Sequence, residues 1–383
     1  WHPADDNGVD LGSSSYEFKD LYVDGTAYVD ALDLNGTAVS ATAAELNLLD
    51  GATALATSVN GLSDGLVEDN SMYIGNDPSS TTSTAEYNVA LGTTALDAIT
   101  TGDYNVAVGY GALTGNTSGQ RNTAIGHSSL LATTSGANNS AIGHQSLRWS
   151  TTASFNIALG AKSLYANTTG TRNVALGTYA LDAANDESDN LAIGYAALGG
   201  SIDGGEYNVA IGNYSLDANT SGDYNVAVGY DALTANTTGV GNVAVGYNAL
   251  TANTTANYNT GFGDSVLATN ITGTANTAIG TYALGDQTTG AQNTALGFKA
   301  LKYNTTASNN TGIGRSALQA NTTGAQNVGI GYGALEENTT ADNNVAIGYQ
   351  AGYNITSAKE TVIIGKDAGK GVVGGEAGVY IGY

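Results

Sequence analysis

A unit of seventeen residues recurs through most of this 383-residue chain, and few folds accommodate such a repeat. The pentad Asn-x-small-apolar-Gly reads NVALG from Asn88, NVAVG from Asn105, NTAIG from Asn122, NSAIG from Asn139 and NVAIG from Asn344. Units start at 71 and every 17 residues to 190, then at 208 and every 17 residues to 378. That makes 19 units, the last cut short, with one extra residue in the Gly199–Gly205 stretch. The consensus is N-V-A-[VI]-G-Y-x-A-L-x-A-N-T-T-G-x-Y, numbered here as positions 1 to 17. Its first five residues alternate with the period of a strand: positions 2 and 4 share one face, and positions 3 and 5, where small groups recur, the other. Position 5 is glycine throughout, including Gly109, Gly126, Gly143, Gly229, Gly246 and Gly348. A corner at positive φ, or a backbone too close for a Cβ, explains that invariance. A second apolar pair at positions 8 and 9, such as Ala232-Leu233, predicts a second short strand. The Asn-Thr-Thr-Gly run after it predicts a turn. The expected fold is all-β: a parallel β-solenoid with two short strands and two turns per coil, since runs of Gly, Asn and Thr make poor helix.

A constant register implies that the coils stack. No proline follows Pro78, so every later backbone N–H is available to an inter-coil ladder. Charge is scarce in the repeats, as expected where each side chain sits over its own equivalent. At about 4.8 Å per coil the rod spans roughly 90 Å. One coil holds too few apolar side chains to offset its ordering entropy, so stability must be cooperative along the rod. So thin a core also predicts sideways packing against other copies, and the small face at positions 3 and 5 is the expected contact. The chain thus divides into a connector segment, 1–70, and a solenoid rod, 71–383.

Thirty-four acidic residues against 11 basic ones give a net charge of −23, although charged residues make up only 12%. Without a basic stripe, nucleic acid and anionic lipid are poor partners. The absence of cysteine excludes disulfides and thiolate metal sites. No apolar run is long enough to predict a membrane span. The opening Trp1-His2-Pro3 lacks an initiator Met, which suggests a processed or truncated product. Residues 1–70 carry 13 of the acidic side chains and one basic residue, Lys19. Asp24-Gly25 and Asn35-Gly36 are hairpin signals there. Thr42 to Glu45 has a capping-box pattern that predicts a brief helix near 43–50, closed by Gly51.

The pentad N-x-A-[IV]-G followed by A-L resembles the head repeats of trimeric autotransporter adhesins, although those repeats are usually shorter. The cadence N-T-T-G-x-Y-N-T-A-I-G-Y-x-A-L is similar to repeat regions of bacteriophage tail fibres. In the N-terminal segment, LGSSSYEFKDLYVDG (Leu11 to Gly25) and ATAAELNLLDG (Ala41 to Gly51) look like shaft modules of such fibres. The resemblance implies an intertwined or side-by-side homotrimer in a virion tail fibre, with other fibre or tail proteins and a host-surface glycan or protein as partners. The alternative is a bacterial surface or secreted fibre, either a trimeric adhesin head or a filament assembling end to end. The last unit stops at Tyr383, so its strand edge is expected to be covered by further sequence or by a neighbour.

Several residues invite a chemical reading. His127 and His144 both occupy position 6 of adjacent coils, which stacks two imidazoles. No carboxylate completes a ligand set, so two exposed side chains at a variable position is the preferred reading, and no cofactor is expected. Tyr110, Tyr230, Tyr247, Tyr332 and Tyr349 also fall at position 6, and Tyr87, Tyr104, Tyr207, Tyr224 and Tyr258 at position 17. Such columns suit sugar faces, but stacked tyrosines need no ligand, and the structural ladder is preferred. Triplets starting at Asn116, Asn167, Asn219 and Asn236 match the glycosylation sequon and are read as turn chemistry with Asn ladders. Turn threonines argue against an ice-binding face. The periodic glycines are not a phosphate loop. Asp182, Asp186, Glu187 and Asp189 read as a solvated loop rather than a catalytic pair, so no enzyme activity is expected.

Overall fold

The computed structural model describes residues 33–34, 37–38, 65–75, 81–375 and 377–382. The helix expected near 43–50 and the Asp24-Gly25 turn lie outside the described residues. The chain divides into two units, 1–57 and 58–383. In the first, β1 (Asp33–Leu34) and β2 (Thr37–Ala38) pair antiparallel on either side of Asn35-Gly36.

In the second unit, β3 (Gly65–Glu68) pairs antiparallel with β4 (Ser71–Ile74). The linking Asp69 and Asn70 have φ of 45° and 59°, as a two-residue hairpin turn requires. From β4 onward every strand pairs in parallel with the next, from β5 (Val89–Leu91) to β22 (Val379–Ile381). Equivalent residues face each other: Val226 opposite Val243, Ala227 opposite Ala244, Val228 opposite Val245. The result is a parallel β-solenoid of 17-residue coils, and no helix occurs among the described residues. Strand β3 lies along the first coil and covers its free edge. The irregular coil keeps register, pairing Leu191 with Val209. Because Leu198 N–H reaches the Ser215 carbonyl and Asp203 N–H the Thr220 carbonyl, the extra residue sits between Leu198 and Ile202.

Each coil holds one strand, at positions 2 to 4, and the second strand expected at positions 8 and 9 is absent. Adjacent strand residues point to opposite faces, yet Ala232 and Leu233 are both fully buried. The backbone achieves this with left-handed residues at positions 7 and 9, where Asp231 and Leu233 both have φ of 53°. Inter-coil bonding continues regardless: Leu233 N–H donates to the Ala249 carbonyl at 3.0 Å and Ala235 N–H to that of Thr251 at 3.2 Å.

The alternation of the strand also faces the other way from the expected lateral contact. Position 3 is the interior: Ala107, Ala124, Ala227 and Ala244 are fully buried, while positions 2 and 4 look outward. A coil this narrow leaves only a methyl group's room opposite the buried leucine, which is why the small residue points inward. Compensating pairs bear this out. Where position 3 is Gly261, position 8 becomes the larger Val266, 3.0 Å from where a Cβ on Gly261 would stand. Where position 3 is Ile363, the leucine of position 9 is replaced by Gly352 and Gly369.

Two columns of buried asparagine complete the interior. At position 1, Asn242 N–H donates to Asn225 Oδ1 (2.9 Å), Asn242 Nδ2 to the Ala256 carbonyl (2.8 Å), and Asn242 Oδ1 accepts from Asn259 N–H (2.9 Å). At position 12, Asn236 Nδ2 donates to Asn219 Oδ1 and Asn253 Nδ2 to Asn236 Oδ1. Interruptions in this second column leave acceptors without a partner: Asn167 Oδ1 below Ala184 and Asn338 Oδ1 below Ile355. The sequon asparagines Asn116, Asn167, Asn219 and Asn236 are fully buried, and each Nδ2 is bonded to a backbone carbonyl. Glycosylation of the folded rod is therefore closed at these four positions.

Candidate functional site

Whatever this rod does, it does with side chains that repeat at the coil pitch on its outside. The corner glycines shape that outside. Gly109, Gly126, Gly143, Gly229, Gly246 and Gly348 have φ between 123° and 139°. A Cβ on Gly229 would fall on the carbonyl oxygen of Gly246 and 2.7 Å from its carbonyl carbon. Position 6 follows this corner and points into solvent.

Position 6 builds aromatic columns. Tyr110 stacks on His127 at 5.2 Å and His127 on His144 at 5.3 Å. Tyr230 stacks on Tyr247 at 5.8 Å, and Tyr332 on Tyr349 at 5.2 Å with planes 10° apart. Arg315 extends the latter column by bridging the Phe298 and Tyr332 rings, 5.7 Å from each. At position 17, Tyr87 lies parallel to Tyr104 at 4.9 Å and Tyr207 to Tyr224 at 5.1 Å. Parallel stacking at the coil pitch covers ring faces with neighbouring rings, which leaves edges and hydroxyl groups for any ligand. Among the described residues no group of three or more His, Cys, Asp or Glu side chains is placed to hold a metal ion, and the two histidines pack with Tyr110 instead. The threonines of position 13 spend their hydroxyls within the rod, as Thr237 Oγ1 does on the Thr254 carbonyl at 3.1 Å.

The acidic cluster is only in part the solvated loop expected, with Asp186 exposed and Glu187 buried. Glu187 is 2% exposed, and Asp189 forms a two-pronged pair with Arg172 at 2.6 and 2.7 Å, which holds its carboxyl below the usual range. Burial, reinforced by Asp217, pushes Asp182 up to about 6, and burial, with Asp231 behind it, raises Asp217. Asp182 therefore binds its proton more tightly in the folded chain than in the unfolded one. Its contribution to stability is present at low pH and is lost as pH rises from about 4 to about 6. Asp182→Asn should match the parent at pH 4 and exceed it at pH 7 by about 1 kcal/mol, after discounting for solvent screening. Thermal melts at the two pH values measure this.

One surface feature that runs the length of the rod is one that sequence reasoning passed over. At position 4 every coil carries an aliphatic residue or phenylalanine, from Ile74 to Ile381, and position 2 adds Val, Thr, Ile, Leu, Met or Ser. None of these residues is charged, and they form an outward stripe in which Leu91 is 47% and Ile157 46% exposed. The signal was present: a solvated β-face with no gatekeeping charge over nineteen strands. No helix among the described residues is long and apolar enough to cross a membrane. No protein-family model matches the chain, and no curated protein matches it.

Proposed function

We propose that the protein is a structural and adhesive fibre, a component of a phage tail fibre that supports attachment to a host surface, and that it works as a homotrimer joined along the outer faces of its strands. The supporting observation is the outward stripe, apolar at position 4 of every coil and free of charge at position 2. At about 50 Å² of exposed surface per side chain, the nineteen position 4 residues alone present roughly 950 Å². An ordinary monomer's largest patch is about 300–600 Å², and a partner in a standard interface contributes about 800 Å². The stripe is ridged at the coil pitch along its whole length. A second copy in parallel register carries matching ridges at that period. Bringing three stripes onto one axis removes them from water and leaves the position 6 and 17 columns outside, in three copies. Repeated weak contacts of that kind gain through avidity.

Electron microscopy of the native particle tests the reading. Rods of fixed length with three-fold symmetry, attached to a tail, are expected. Rods joined end to end without limit would replace the fibre with a filament, and isolated single rods would remove the trimer. In solution, Val228→Glu with Val245→Glu should weaken association at least a hundredfold by sedimentation, because each glutamate is buried unpaired at the shared axis. Tyr230→Glu, at position 6, should leave the assembly intact.

A further inference from the structure

One junction in the ladder is built unlike the others. Between the coils starting at Asn225 and Asn242, backbone bonds run around the whole circumference. They include Val226 to Asn242, Leu233 to Ala249, Ala235 to Thr251, Thr237 and Thr238 to Thr254, and Tyr258 to Val240. Between the coils starting at Asn173 and Asn190, only the strand side is zipped. Val174 N–H reaches the Asn190 carbonyl (2.9 Å), Leu181 that of Ala197 (3.0 Å), Gly194 that of Leu176 (2.8 Å) and Ala196 that of Thr178 (3.1 Å). The bonds of positions 11, 13, 14 and 17 have no counterpart here. The N–H groups of Asn185 and Asp186 turn instead to Glu187 Oε2, at 2.8 and 3.2 Å.

The position 12 side-chain column falls silent at the same place. Position 12 carries Ala184 and then Ile202, so only the position 1 carboxamide of Asn173 crosses the junction, to Asn190 N–H at 3.0 Å, and Asn167 Oδ1, one coil earlier, is left without a partner. In exchange, position 15, which is Gly or Ala in every other coil from Ala85 to Gly375, holds the buried Glu187. Its Oε1 accepts the Gly204 N–H at 3.0 Å, one coil further on. No cation is ion-paired with Glu187 among the described residues. One carboxylate oxygen therefore spans the side of the seam where four backbone bonds are missing. The stretch it grips, Gly199 to Gly205, contains four glycines and the extra residue.

We propose that this seam is a yield point built into the rod, and that Glu187 is the latch that keeps it closed. Local opening begins at the Gly199–Gly205 side and separates the solenoid into two cooperative blocks, one on each side of the junction. The proposal concerns the rod alone and does not depend on what the rod is attached to.

Hydrogen exchange read by mass spectrometry on the full chain tests it. Amides of 183–186 and 199–207 are expected to exchange at least tenfold faster than the matching amides of 218–241. Glu187→Ala should raise exchange at 183–207 by a further tenfold or more and leave 242–344 unchanged. The triple variant Ala184→Asn, Glu187→Gly and Ile202→Asn restores the consensus of positions 12 and 15 on both sides of the seam, gives Asn167 Oδ1 its donor, and should return the seam to ordinary protection. Equal protection of seam and regular coils in the parent chain would overturn the yield point. An even rise along the whole rod in Glu187→Ala, or no rise, would overturn the latch. Should Glu187→Ala fail to accumulate, the parent profile and the consensus variant decide the matter by themselves.

Discussion

Gly229→Ala is expected to destabilise the rod by about 3–5 kcal/mol, combining the strain of a side chain at φ 138° with a collision against backbone. The obstacle is the Gly246 carbonyl of the next coil, and Gly246 is pressed in the same way against Gly263. Relief therefore requires either a shift passed along the column or separation of two coils. A flexible neighbour could swing aside, but a ladder of peptide units cannot. Gly371→Ala is the matched control: nothing lies within 4 Å of its Cβ position and its φ is not left-handed. Denaturant titration should separate the two by at least 3 kcal/mol. Near equality would mean that the corner is an easy bend rather than a close approach.

The second large effect is expected at the position 1 column. Asn242→Leu keeps the volume but removes the acceptor for Asn259 N–H and the donor to the Ala256 carbonyl, at a cost of about 2–4 kcal/mol. Asn242→Asp is more informative. Its carboxylate would keep the acceptor for Asn259 but turn an oxygen toward Ala256 O and Asn225 Oδ1, where the amide nitrogen donates at 2.8 and 3.2 Å. Burial raises the pKa of such a group in the folded state, so its protonated form substitutes for the amide at low pH. Stability then falls as pH rises through and beyond the ordinary carboxylate range. Melts of Asn242→Asp should converge on the parent near pH 3 and fall well below it at pH 7. A deficit independent of pH would contradict the hydrogen-bond directions.

Period, register, the place of the extra residue and the identity of the corner glycine were all legible before any coordinates. Each is a spacing, and stacking converts spacing directly into contact. What was illegible depends on backbone handedness. Leu233 and Leu250 look like strand residues by type, and only the left-handed turns at positions 7 and 9 bring both Ala232 and Leu233 inside. The same ambiguity hid the outer face. In a thick sheet, valine would point in and alanine out. In a coil narrow enough for Ala227 to meet leucine, the order reverses and Val226 and Val228 are left outside. Glu187 was misread because charge usually means solvent, and its partners are backbone N–H groups that no side-chain pattern announces.

The position 1 column also runs in a single direction. Each coil's Asn N–H reaches back to the carboxamide of the coil before it, from Asn105 on Asn88 to Thr361 on Asn344. A coil laid on a finished one meets an acceptor already in place, whereas a coil formed ahead of its predecessor has none. Ladder partners are separated by 17 residues, or 18 at the one irregular coil. The relative contact order is therefore only about 0.05, unusually local for a β protein. Growth by accretion is the expected order of folding, seeded on the β3–β4 hairpin and proceeding coil by coil as a ribosome delivers the chain, and pulse-labelled hydrogen exchange should show protection of the first coils before the last.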